Sequence, residues 1–196
     1  MRRTLLLLFV SVLFSSAALA QAPAAVPVFS ITPVQSKIRF AVDASVSIEG
    51  TFDKWNASLT FTSPDVSSGR LEVEIQAASV DTGSGMKNSK LKGSDFFDVK
   101  NNPLISFKST KLVQTSPSTF EVDGNFTIRG VTRTEKLKLA VTGAGTGSGT
   151  ITGTMAFDRK QYGMNSGIPF IRIADRVEVS FNLKAIRVSG PPVKLD

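Results

Sequence analysis

The chain has 196 residues, a formal net charge of +7, and neither Cys nor His. Those two absences exclude thiol chemistry, imidazole acid–base catalysis, Ser-His triads, zinc sites and haem ligation by His, and they leave the core to hold the fold without disulfides. Lys and Arg are scattered and alternate with apolar residues, which is the pattern of a solvated face and not of a nucleic-acid-binding run.

The first predicted element is removable. Arg2 and Arg3 precede a short apolar run over 5–13, and Ala18-Leu19-Ala20 fits a small-x-small cleavage pattern. Residues 1–20 therefore read as a secretory signal peptide cleaved after Ala20. The run is too short for a comfortable transmembrane helix, and polar Ser15-Ser16 closes it. Residues 21–28 are an Ala/Pro-rich leader, 29–188 one domain, and 189–196 a tail.

Alternation dominates the domain. Ile38, Phe40, Val42, Ala44 and Val46 share one face of a strand, with Lys37, Arg39 and Asp43 on the other. A second strand is expected over 51–62. Leu71, Val73, Ile75 and Ala77 then alternate with Glu72, Glu74 and Gln76. A short helix is expected over 86–92.

Next comes Asp95-Phe96-Phe97-Asp98, two rings between two carboxylates in a connection, where polar residues are the rule. Asn101-Asn102-Pro103 marks a turn before a strand over 104–114. The rings either plug one end of a core or gate something apolar inside it. Strands follow on Phe120 to Ile128, Leu137 to Val141, Ile151 to Phe157 and Val177 to Ala185. The glycine-rich stretch 143–149 lacks the strand-to-helix context of a phosphate loop and reads as a hairpin.

The sum is an all-β domain of eight long antiparallel strands, a sandwich or a barrel, with closure removing the edges. An outer-membrane barrel turns its apolar faces toward lipid and its polar faces inward. Here the polar faces are densely charged, with Glu72, Glu74, Lys136 and Lys138, and each such charge facing lipid near the midplane would cost roughly 2–4 kcal/mol. The charged face therefore meets water and the apolar face lines the interior, so the domain is not membrane-inserted. Ala44, Ala77, Gly124 and Gly153 on that inner face fit either a void or the large/small alternation of a filled core.

Several motifs occur in order: Gly50-Thr51-Phe52, Ser79-Val80-Asp81-Thr82-Gly83, Ser94-Asp95-Phe96-Phe97-Asp98-Val99, and Pro103-Leu104-Ile105-Ser106-Phe107-Lys108-Ser109. They continue with Gly124-Asn125-Phe126-Thr127-Ile128-Arg129-Gly130-Val131-Thr132-Arg133 and Asp158-Arg159-Lys160-Gln161-Tyr162-Gly163-Met164. Together they closely resemble the YceI-like family across nearly all of 29–188. The resemblance implies an extended eight-stranded antiparallel lipocalin-like barrel with one short helix, exported to the bacterial periplasm and holding a long polyisoprenoid chain inside. It brings no catalytic residue, cofactor or metal. Lys90, and the stretch near Ala44, stand where members often carry His.

The expected ligand-facing residues are Phe40, Val42, Phe52, Phe61, Val73, Ile75, Phe107, Phe126, Met155 and Phe157, with Phe96 and Phe97 closing one end. Tyr162, Met164, Ile168, Phe170 and Ile171 form a second apolar cluster and a candidate mouth. Arg129, Arg133, Arg159 and Arg172 lie near connections and are candidates for a diphosphate head group, or are solvated charges. Two rival readings stand beside a lipid carrier or sink. One is a protein-interaction module with a packed core. The other is a lipid-modifying enzyme using Asp81, Asp95, Asp98 or Asp175. The sequence leaves a homodimer open.

Overall fold

The computed structural model describes residues 25–45, 47–143, 146–167 and 170–195. The expected signal peptide, the first half of the leader, Val46 and Ile168 lie outside them. The described chain is all-β with one short helix: β1 (Val28–Ala44), β2 (Ile48–Phe52), β3 (Trp55–Thr60), β4 (Arg70–Gln76), β5 (Val80–Asp81), α1 (Gly85–Lys92), β6 (Leu104–Ser116), β7 (Thr119–Ile128), β8 (Val131–Thr142), β9 (Ser148–Asp158) and β10 (Ile173–Ser189).

All ten strands join one antiparallel sheet in the order β3-β4-β6-β7-β8-β9-β10-β1-β2-β5. The expected eight-stranded closed barrel is thus corrected. The described residues form ten strands in a sheet that curls into a half-barrel, lipocalin-like in kind. Two departures from alternation account for the difference. The single strand expected over 51–62 is broken at Asp53-Lys54, because Phe52 and Trp55 are both buried and stand three apart. A two-residue pleat cannot turn both inward, so the chain kinks there and changes partner. β2 pairs with β1, and β3 pairs with β4. The added strand β5 is only two residues long and finishes the far edge against Thr51 and Phe52.

The two sides of the curl meet where one segment of chain, β2 to β3, passes from one edge of the sheet to the other, and β3 packs on β1. Elsewhere the register is that of a simple meander. The turn at Arg129-Gly130 has positive φ at both residues (53° and 73°), the geometry that matches strand twist in a two-residue hairpin. β8 and β9 pair on either side of the glycine-rich connection, as the hairpin reading expected. In β1 the register slips between Thr32 and Lys37, and Ser36 bridges the slip: its Oγ donates to the Thr32 carbonyl at 2.6 Å and accepts from the Lys184 N–H at 2.9 Å.

One end of the half-barrel gathers the β1–β2 turn, the connection 82–103 with α1, the Arg129-Gly130 turn and the connection from β9 to β10. We call it the upper end. The lower end carries residues 61–69, the turn at 117–118, the glycine-rich hairpin and the C-terminal tail.

Candidate functional site

The upper end begins with α1. Ser84 caps it by accepting from the Lys87 N–H, and Gly93 stops it by donating to the Lys90 carbonyl. The chain then coils tightly: Phe96 and Asp98 donate from their backbone to the Gly93 carbonyl, and Phe97 to Leu91. Asp98 sits at φ 48°, a left-handed position that Asp tolerates, and its carboxylate accepts from the side chains of Asn101 and Asn102. This coil is why the two adjacent rings both reach the interior, which an extended strand would forbid. Phe97 packs on Phe52 (5.8 Å between centroids) and edge-on to Phe40 (6.4 Å). Lys90 Nζ lies over the Phe96 ring at 5.8 Å and bonds Asp95 at 2.5 Å.

Beneath these rings is an upper chamber of about 70 Å³, walled by Phe40, Phe52, Ile105, Phe126, Phe157, Val177 and their neighbours. Phe96, Phe97, Leu91 and Met164 close it from above. Its walls are apolar except for Arg159. That guanidinium is buried and fully engaged in the β9–β10 connection: it donates to the carbonyls of Ala174, Met164 and Ser166 and reaches Asp175 at 3.4 Å. Burial without such partners would be costly, so Arg159 holds the connection in shape.

Tyr162 stands behind the chamber wall. It is fully buried, packs edge-on to Phe126 and Phe157, and donates to Glu135 Oε1 at 2.7 Å. Burial, then that bond to a carboxylate, pushes its phenol well above the usual tyrosine range. Arg129 and Arg133 donate to the carbonyls of Gly163 and Gln161, so the β7–β8 turn clasps the same connection.

A lower chamber of about 110 Å³ lies at the other end, walled by Phe29, Phe61, Leu71, Leu112, Phe120, Leu139, Ile151 and Ala185. Pro192, Val193 and Leu195 of the tail cover it. The tail is held there by backbone bonds from Val66 to Lys194 (2.9 Å) and from Lys194 to Pro64 (2.8 Å).

Of the expected ligand-facing residues, Phe40, Val42, Phe52, Ile75, Phe96, Phe97, Phe126, Phe157 and Met164 meet around the upper chamber, and Phe61 faces the lower one. Val73, Phe107 and Met155 lie between the chambers and line neither. Tyr162, Phe170 and Ile171 are also outside both walls, and Phe170 is fully exposed at φ 65°. The candidate plug and the candidate mouth thus belong to one end. Sequence reasoning missed the lower chamber as a unit. Leu71, Phe120, Leu139 and Ile151 do stand on the inward faces that alternation marks, but the tail carries no periodic signal.

The acids do not converge. Asp81 accepts from Gly83 and Asn88, which hold its carboxyl below the usual carboxylate range. Asp95 is lowered likewise by its bond to Lys90. Asp98 is taken by its asparagines, and Asp175 by Lys160 and Arg159. Among the described residues no helix is long and apolar enough to cross a membrane.

The YceI-like domain family matches the chain over residues 29–185. A UPF0312 protein of Pseudomonas aeruginosa is 32% identical over 96 residues, 49% of this chain and 50% of the relative. One from Azotobacter vinelandii is 30% identical over 84 residues, 43% and 44% of the two chains. The chain spans about half the length of these relatives. Among solved structures, Burkholderia cenocepacia BcnA superposes with a TM-score of 0.71 at 26% identity, covering 79% of this chain and 99% of that one. A polyisoprenoid binding domain from Saccharophagus degradans, implicated in plant cell wall breakdown, superposes at 0.63 over 82% of this chain and 99% of that one. At 14% identity, that likeness concerns the fold alone.

Proposed function

The chain belongs to the YceI-like domain family, and from that premise we propose that it binds a long isoprenoid lipid in its apolar interior, as a carrier or sink. The observation that carries this reading is the pair of apolar chambers stacked along a sheet whose outer face is charged. The polyisoprenoid binding domain of Saccharophagus degradans, which shares the fold, supports it.

An isoprenoid tail is insoluble, and burying ten methylene-sized groups contributes roughly 8 kcal/mol before ordering costs. About micromolar affinity therefore needs no polar contact. Among the described residues the chambers hold no reactive constellation, and the four acids considered for catalysis serve local turns and ion pairs. That supports binding over chemistry. Export to the periplasm, directed by residues 1–20, belongs to the same proposal and puts the carrier in water between membranes. Cell fractionation with intact-mass measurement of the mature chain tests it: a mass beginning at Gln21 is expected.

Native mass spectrometry of protein purified from a bacterial host tests the ligand. A copurifying isoprenoid, or retention of added isoprenoid quinone, is the expected result. A ligand-free protein that retains none would defeat the proposal.

A further inference from the structure

Both chambers are smaller than the ~150 Å³ engineered cavity that accepts benzene, so neither holds a long tail as it stands. What separates them is a middle level of side chains, and strand after strand has the same three tiers. On β6, Ile105 faces the upper chamber, Leu112 the lower, and Phe107 lies between. On β10, Val179 is above, Ala185 below, and Phe181 between.

Those two rings sit on glycines. A Cβ placed on Gly124 would stand 2.3 Å from Phe107 Cζ, and one on Gly153 would stand 2.0 Å from Phe181 Cζ. On its glycine side each ring meets bare backbone, while its other side packs in the core. A χ1 change lifts the ring off that backbone and uncovers a narrow slot over the glycine.

We infer that Phe107 and Phe181 form a movable partition that sets ligand length: in place, they divide the interior into two small chambers; displaced, they open a path for a long isoprenoid tail to carry its far end into the lower chamber. This rests on the isoprenoid reading above.

The test compares a short-tailed and a long-tailed isoprenoid quinone on the full mature chain, by stopped-flow association and equilibrium titration. The proteins are wild type, Phe107→Leu and Phe181→Leu. Leucine keeps the level apolar and filled enough to fold. The expected result is short-tail affinity within about twofold of wild type in every variant, with long-tail association about tenfold faster and a matching rise in long-over-short preference. Equal responses of both tails, or slower long-tail association, would overturn the partition while leaving lipid binding intact. Binding of neither quinone by wild type would overturn both readings. Xenon-pressurised wild-type crystals give a check that does not depend on folding of a variant. Two separated xenon sites are expected, and one continuous column through the middle level would contradict the partition.

Discussion

Tyr162 is the single tyrosine of the chain, so its titration can be followed without overlap. Its folded pKa is raised, by burial first and by the Glu135 bond second. A raised pKa means that its contribution to stability is whole below the ordinary value near 10 and is lost as pH rises beyond it. Phenolate absorbance is therefore expected only together with alkaline unfolding. A normal titration in the folded protein would contradict the buried placement. Tyr162→Phe removes one hydrogen bond to a charged acceptor and should lower stability by roughly 1–2 kcal/mol in denaturant unfolding. Arg159 carries more, because three backbone carbonyls turn to it inside the protein. Arg159→Met should cost roughly 3 kcal/mol and speed amide exchange in the β9–β10 connection. Asp95 is the contrast: exposed and paired with Lys90, its lowered pKa favours the fold above the unfolded value of 3.8 and ceases to as pH falls through the folded one. Asp95→Asn should leave lipid binding unchanged at neutral pH.

At the scale of elements, the glycines of β7 and β9 serve packing and not flexibility. Gly124→Ala and Gly153→Ala each overpack a filled seat and should cost roughly 1–3 kcal/mol, with part of the Gly153→Ala cost recovered when Phe181→Leu is added. The inner-face glycines were legible as small positions on an apolar stripe. Whether they mark a void or a seat was not, because the answer lies on a different strand. The same limit explains β2 and β3. Alternation located a strand over 51–62, but the kink needed the three-residue spacing of Phe52 and Trp55 to be weighed against it. Asp95-Phe96-Phe97-Asp98 was legible as rings out of place. The coil on Gly93 that turns both inward depends on backbone bonds across the loop. Phe97→Ala opens the contact with Phe40 and Phe52 and should cost roughly 3–5 kcal/mol.

At the scale of the whole molecule, a charged outer face and an apolar inner one could be read from period-two patterning, since each depends only on neighbours along the chain. The division of the interior could not. It depends on which rings from β6 and β10 meet which glycines across the sheet, and on a tail that pairs Lys194 with Asp65 far from it in sequence. The central claim is that this interior takes an isoprenoid tail, and calorimetric titration of the ligand-free protein with an isoprenoid quinone at several temperatures tests it most directly. Saturable binding in about the micromolar range with a clearly negative heat-capacity change is predicted, since that sign marks apolar surface leaving water. Absence of saturable binding, or binding with a heat-capacity change near zero, would contradict it.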